Sequence, residues 1–244
     1  MLNSFGQFQR IAIFGGKSDI GLSILEFLPK TDDVEIILVG RNLKEVKESP
    51  YKIQMIECDF RNLGEISVVL NKIFVDGDLD LALVSFAVQK SALDHLLAEN
   101  LIDVINTNFV STSLLLTGLI ERMEVQMHGN VLYISSFAGL RPRKNNYVYG
   151  ATKAGADFLA QGLQDSSRSK NVFLTILRPG FVRTKFSNGL SEPPFSTDVT
   201  TVAQIAVKAV IRNRKIVYAP KLLSLIAIIF RNIPRFLFKF IERY

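Results

Sequence analysis

Cysteine is nearly absent, Cys58 being the single one in 244 residues. No internal disulfide can form, a reducing compartment is the expectation, and no metal site is foreseen. Long apolar runs are missing too. The longest, Leu222 to Phe230, is interrupted by Ser224 and spans nine residues, whereas crossing a bilayer takes about 20. Such a stretch can lie on a membrane and not cross it. Met1 to Arg10 lacks an apolar core of signal-peptide length behind a basic start, so a cytoplasmic or membrane-surface location is expected. Linkers, low-complexity segments and internal repeats are also absent. A chain of this length suits one large α/β domain and is short for two with substantial cores.

Basic charge is scarce where nucleic-acid binding would need it. The net charge of +6 lies at one end, where nine basic residues from Lys208 onward face one acid, Glu242, giving +8 there and −2 in the rest. A uniformly basic body is excluded, and no nucleic-acid partner is expected. The division falls near Ala219, with a domain over residues 1–219 and an apolar basic tail over 220–244. Arg231, Arg235, Lys239 and Arg243 recur every four residues among Phe236, Phe238 and Phe240, so a helix there carries a basic stripe beside an apolar face. Its expected counter-surface is an anionic membrane. The competing reading is a C-terminal helix covering the protein's own core or a partner subunit. Pro234 breaks or begins that helix.

Short β-rich apolar runs recur at Ile11 to Phe14, Val34 to Val39, Asp80 to Phe86, Val131 to Ser135 and Val172 to Leu177, with weaker strands at Ile53 to Glu57 and Ile216 to Tyr218. Helical patterns fit Ile20 to Leu28, Leu101 to Met123, Tyr149 to Ser167 and Val202 to Asn213. This alternation predicts an α/β fold, a doubly wound Rossmann-like parallel sheet with helices on both faces.

Phe14 to Gly21 follows the first strand and opens the first helix. At that turn free backbone N–H groups and a positive helix end face outward, and a pyrophosphate approaches only if bulky side chains are lacking. Gly15 and Gly21 set the spacing, and Lys17, Ser18 and Ile20 complete the candidate cofactor turn. A tight strand-to-helix connection needs glycine with or without a ligand. The second strand ends at Arg41, where an enzyme using NAD would place a carboxylate. Arginine there pairs with a 2′-phosphate, and Lys17 adds a second positive charge, so NADPH is favoured over NADH. A solvated arginine at a strand end is the plainer alternative. Asp59, followed by Phe60, is a candidate to receive the adenine amino group, or it caps a turn.

Tyr149 and Lys153 stand four residues apart, on one face of a helix. With six tyrosines in the chain the pair alone proves little. Its context is stronger. Ser136 ends the fifth strand, Asn108 sits in the preceding helix, and Arg178 to Thr184 follows the sixth strand, all at the end of the sheet where a doubly wound fold has its crevice. Pro179, Gly180, Val182 and Thr184 join the cofactor candidates, Thr184 to orient a carboxamide or phosphate. Tyr147 competes for the catalytic role, but the residue four positions on is Ala151, which neither holds a ribose nor lowers a phenol's pKa. Reduction of a ketone needs a proton for the oxygen, and in the reverse direction Lys153, with the oxidised nicotinamide cation, is expected to favour tyrosinate. Bringing a phenol from near 10 to neutrality takes about 4 kcal/mol of differential interaction. Ser136 would donate a hydrogen bond to the carbonyl oxygen. The stretch from Lys185 to Thr200, with Pro193 and Pro194, is a candidate lid.

From about residue 8 to 218 the chain resembles the short-chain dehydrogenase/reductase family. The family's Asn, Ser, Tyr and Lys fall in order on Asn108, Ser136, Tyr149 and Lys153, and its Pro-Gly motif on Pro179 and Gly180. The resemblance implies an NAD(P)-dependent oxidoreductase in which Asn108 supports a water relay behind the lysine. It also implies a homo-oligomer paired through the helices at Leu101 to Met123 and Tyr149 to Ser167. Two positions depart from the pattern. Asp19 replaces a glycine of the first motif, and Ser85-Phe86-Ala87-Val88 replaces Asn-Asn-Ala-Gly. An acid beside a pyrophosphate is unfavourable unless it points away or caps the helix.

A narrower similarity rests on Asn146 to Gly155, Leu177 to Thr184, Val217 to Pro220 and Asn232 to Arg235. It is to the actinobacterial reductases of decaprenylphosphoryl-2-keto-erythro-pentose. It implies a polyprenyl-phosphoryl sugar substrate, a flavin-dependent oxidase partner and a role in making the arabinose donor for cell-wall arabinan. Reduction of another hydrophobic ketone, and a cofactor-sensing partner protein without turnover, are the alternatives.

Overall fold

The computed structural model describes residues 6–43, 51–89, 97–167, 171–234 and 236–238. Its frame is a seven-stranded sheet with every neighbouring pair parallel, in the order β3-β2-β1-β4-β5-β6-β7. The strands are β1 (Phe8–Phe14), β2 (Lys30–Gly40), β3 (Lys52–Glu57), β4 (Leu81–Val84), β5 (Gly129–Ile134), β6 (Val172–Pro179) and β7 (Ile216–Ala219). The apolar runs are nearly continuous because the central strands are covered on both faces. Alternate residues divide between two cores. Ala12, Phe14, Val131 and Tyr133 face one side, where α2 (Leu63–Val75), α4 (Thr112–Val125) and α5 (Tyr147–Ser166) pack. Ile11, Ile13, Leu132 and Ile134 face the other, under α1 (Asp19–Phe27) and α6 (Val199–Ile211).

The strand order reverses between β1 and β4, so their C-terminal ends open the crevice expected of a doubly wound sheet. Three elements differ from the sequence expectation. Helix α2 was not foreseen. The helix expected over Leu101 to Met123 is α3 (Ala98–Ile105), a π-helical segment (Asn106–Ser111) and α4 in unbroken succession. The fifth strand ends at Ile134, two residues before Ser136, which instead caps the 3-10 turn Phe137–Leu140 by accepting from Ala138 N at 3.1 Å.

The tail forms α7 (Leu223–Asn232), which stops short of Pro234. Leu223 and Ala227 are buried beside Phe137. Phe230 meets Phe137 and Phe238 at ring distances of 5.6 Å each, and the Arg141 guanidinium lies 4.2 Å from the Phe238 ring and donates to the Phe230 carbonyl. One face of the tail thus covers the protein's own core. Of the expected basic stripe, Arg231 lies in the last turn of α7, while Arg235, Lys239 and Arg243, with Phe240, lie outside the described residues. No described helix is long and apolar enough to cross a membrane.

Candidate active site

Two glycine contacts bring the Ser136 turn against the start of α5. A Cβ on Gly150 would stand 2.9 Å from Ala138 O, and one on Gly139 would stand 2.9 Å from Ala154 N. Backbone meets backbone there, and any larger residue would force the turn off the helix. This close approach sets the Ser136 hydroxyl in hydrogen-bond contact with the Tyr149 phenol. Tyr147 is half-exposed and lies outside the cavity that Tyr149 and Ser136 line. Of the two tyrosines, Tyr149 is the one that lines the cavity.

Lys153 is wholly buried one turn along α5 from Tyr149. Its Nζ donates to Ile134 O at 3.0 Å and lies 5.2 Å from the centre of the Tyr133 ring. Burial pulls its pKa down to about 8, with the Asp157 carboxylate acting against that fall. Burial also pushes Tyr149 up to about 12, partly offset by the bond to Ser136. Without the nicotinamide cation that the expectation pairs with Lys153, desolvation governs Tyr149. A phenol above its usual range stays protonated at neutral pH, the form a proton donor needs.

Asn108 lies within the π-helical segment, fully buried and outside the cavity wall. Its Oδ1 accepts from Val88 N and its Nδ2 donates to Val88 O, both at 2.7 Å, with a further bond to Thr152 Oγ1 at 3.3 Å. Asn108 therefore ties the segment after β4 to α5. Beneath Lys153, Asp157 accepts from Arg178 Nε and Nη2 at 2.9 and 2.6 Å, Ser135 Oγ at 2.6 Å and Gln161 Nε2 at 2.8 Å. Arg178 also donates to the Tyr218 hydroxyl at 2.8 Å. The sequence reading singles out neither Asp157 nor its pairing with Arg178.

Tyr149 and Lys153 open on a cavity of about 1360 Å³ that runs from Arg41 to the inner side of α7. Gly15, Lys17, Ser18, Ile20, Arg41, Asp59, Phe60, Pro179, Gly180, Val182 and Thr184 all line it. Gly21 does not. A Cβ there would stand 2.8 Å from Ser85 Oγ, so this glycine serves helix packing. Gly15 has φ +97°, and a Cβ would strike Ser85 C at 2.9 Å, which leaves a flat turn before the N-terminus of α1. Ser18 caps that helix, accepting from Gly21 N at 3.2 Å. A dinucleotide fits this cradle, with its pyrophosphate at the turn.

Asp19 removes its own conflict with that group. Its Oδ2 accepts from Lys185 N at 2.8 Å and its Oδ1 lies 3.9 Å from Lys185 Nζ, so the acid is held by the segment after β6. Asp59 is clamped by Arg61, with Nε at 3.0 Å from both oxygens and Nη2 at 2.5 Å, while Arg41 is 3.9 Å away. The guanidinium of Arg61 holds the Asp59 carboxyl below its usual range. Phe60 and Phe86 stack at 3.9 Å, nearly parallel at 3°. The departure from the family pattern after β4 has thus become an aromatic wall. Thr184 and Ser187 form a reciprocal cap at the start of the expected lid, and Phe186 from that lid lies 6.2 Å from the Tyr149 ring.

Comparisons with known proteins agree with this fold. Residues 9–194 match the family described as short chain dehydrogenase. An uncharacterized oxidoreductase of Mycobacterium tuberculosis is 28% identical over 243 residues, covering 96% of this chain and 97% of that protein. Carbonyl reductase family member 4 of Xenopus laevis is 26% identical over 186 residues, covering 74% of this chain and 78% of its own. A short-chain dehydrogenase from Sphingobium yanoikuyae, solved in complex with NADPH, superposes with a TM-score of 0.74 at 18% identity, covering 93% and 97% of the two chains. The fold, the ordered Ser136, Tyr149 and Lys153 set and the family match together place this chain in the short-chain dehydrogenase family of oxidoreductases.

Proposed function

We propose that the protein is an NADPH-dependent reductase of a ketone carried on a large amphiphilic molecule, with a polyprenyl-phosphoryl 2-keto pentose as the preferred substrate. One observation carries this reading. The cavity floored by Tyr149 and Ser136 continues into an apolar half lined by Phe186, Phe195, Leu223, Ile226 and Phe230, more room than a small polar ketone needs. A sugar headgroup suits the polar floor, and a prenyl chain suits the apolar half.

The nicotinamide cofactor supplies the hydride. Ser136 and Tyr149 converge on the carbonyl oxygen and stabilise its developing charge, and the protonated phenol delivers the proton. Lys153 is set to hold the nicotinamide ribose, with Thr184 near the carboxamide. Gly15, Ser18 and Ile20 would hold the pyrophosphate, and Phe60 would flank the adenine. Lys17 and Arg41 bring positive charge to the adenosine end of the cavity, which supports a 2′-phosphate and hence NADPH over NADH. NADP- and NADPH-bound structural relatives add to that preference.

The narrower substrate assignment rests on the sequence resemblance described above. On that reading a flavin-dependent oxidase supplies the ketone and the product is an arabinose donor. The test couples the purified protein to such an oxidase with polyprenyl-phosphoryl ribose and follows the arabinose epimer. Its formation supports the assignment. NADPH oxidation with other hydrophobic ketones and none of this product returns the function to a carbonyl reductase, the reading that the Xenopus relative favours.

A further inference from the structure

Helix α7 is apolar on two sides. Leu223, Ile226, Ala227 and Phe230 turn inward to the protein. Leu222, Leu225, Ile228 and Ile229 face outward, 48%, 60%, 61% and 59% exposed, in a part of the helix where a soluble protein normally carries polar groups. Ile229 also lines the cavity, so the outer stripe meets the cavity rim. Across the opening, Phe186, Leu190 and Phe195 line the cavity as well and are 48%, 46% and 55% exposed. Both lips of the mouth are therefore apolar and turned to solvent, a patch of the kind that marks an interaction site.

Charge decides the occupant. Lys221 and Arg231 bracket the outer stripe, both exposed, and no acid occurs from Val199 to Ile241. We propose that the outer face of α7 and the opposing lip seat the protein on an anionic lipid bilayer, with the cavity mouth against the membrane. The 10-residue helix lies in the interface plane, its leucines and isoleucines among the acyl chains and its cations at the headgroups. A second copy of the chain would also cover the stripe, but it would bring together two C-terminal stretches that each carry +8 from Lys208 onward, whereas an anionic surface neutralises them. An amphiphilic substrate then moves from the bilayer into the cavity without crossing water.

The test needs no ketone, so its failure and that of the substrate assignment are separable. Wild-type protein is sedimented with vesicles of phosphatidylcholine alone and of phosphatidylcholine mixed with phosphatidylglycerol, beside a Leu225→Asp/Ile228→Asp variant and a Lys221→Glu/Arg231→Glu variant. NADPH binding and melting temperature serve as folding controls. Wild type should bind the anionic vesicles about tenfold more tightly than the neutral ones, and each variant should lose about tenfold on the anionic vesicles with its controls unchanged. Failure of wild type to bind anionic vesicles overturns the proposal. So does a folded Leu225→Asp/Ile228→Asp variant that binds as wild type does, or one whose sole defect is the splitting of a wild-type dimer.

Discussion

Replacing Asp157 by asparagine removes the one carboxylate that faces both Arg178 and Lys153. The side chains of Arg178 and Asp157 are 3% and 8% exposed, so the variant leaves a guanidinium in the interior without its counter-charge, facing neutral partners such as the Tyr218 hydroxyl. Breaking a buried pair by deleting one partner costs about 3–5 kcal/mol. At about 2–4 °C per kcal/mol for a chain of this size, the melting temperature should fall by about 6–20 °C. The Asp157→Leu/Arg178→Met double variant removes both charges and should regain more than half of that loss, because no uncompensated ion remains. Activity provides a second readout. Asp157 opposes the downward pull of burial on Lys153, so its neutralisation should lower that lysine below about 8 and move its limb of the pH–rate profile toward acid. Thermal denaturation and pH–rate profiles of the three proteins decide the matter. A melting temperature for Asp157→Asn within about 2 °C of wild type, or a double variant less stable than the single one, would refute the reasoning.

Three further outcomes are expected. Lys153→Met should abolish turnover and stabilise the fold. The drop from 10.5 to about 8 corresponds to about 3 kcal/mol of penalty on the charged form, present in full below pH 8 and gone by pH 10.5, so the stability gain over wild type should shrink across that window in denaturant titrations. Gly150→Ala drives a methyl to 2.9 Å from Ala138 O and should cost about 1–3 kcal/mol, lowering kcat through the displaced Ser136 and leaving NADPH affinity near wild type. Asp19→Asn should leave NADPH affinity within about twofold of wild type in a fluorescence titration, because the acid is already held away from the pyrophosphate by Lys185. It should also speed tryptic cleavage at Lys185, whose backbone loses its charged anchor.

The sheet was legible because its strands are short apolar runs separated by helix-length segments, and Tyr149 and Lys153 were legible because four residues make one helical turn. Helix α2 escaped although Ile66, Val69, Leu70 and Ile73, all buried, carry the helical spacing. Its run of β-branched and apolar residues matches a buried strand equally well. The π-helical segment at Asn106–Ser111 leaves no compositional trace, since a changed hydrogen-bond register needs no special residue. Asp19 read as a liability because its partner Lys185 lies 166 positions away. The upward pull of burial on Tyr149 was out of reach for a related reason. Residue type says which charges are near in sequence, whereas desolvation depends on everything the fold packs around the ring. The tail was read as membrane-facing or core-covering, and α7 has an apolar face for each.

The central claim is that Tyr149 delivers a proton to a ketone while NADPH is oxidised. Its most direct measurement is NADPH oxidation by wild type and Tyr149→Phe with the same hydrophobic ketone, alongside cofactor binding and melting temperature. Loss of about a thousandfold or more in kcat, with NADPH affinity and stability retained, is the result this account predicts. A folded, NADPH-binding Tyr149→Phe protein that reduces the ketone at the wild-type rate would contradict it.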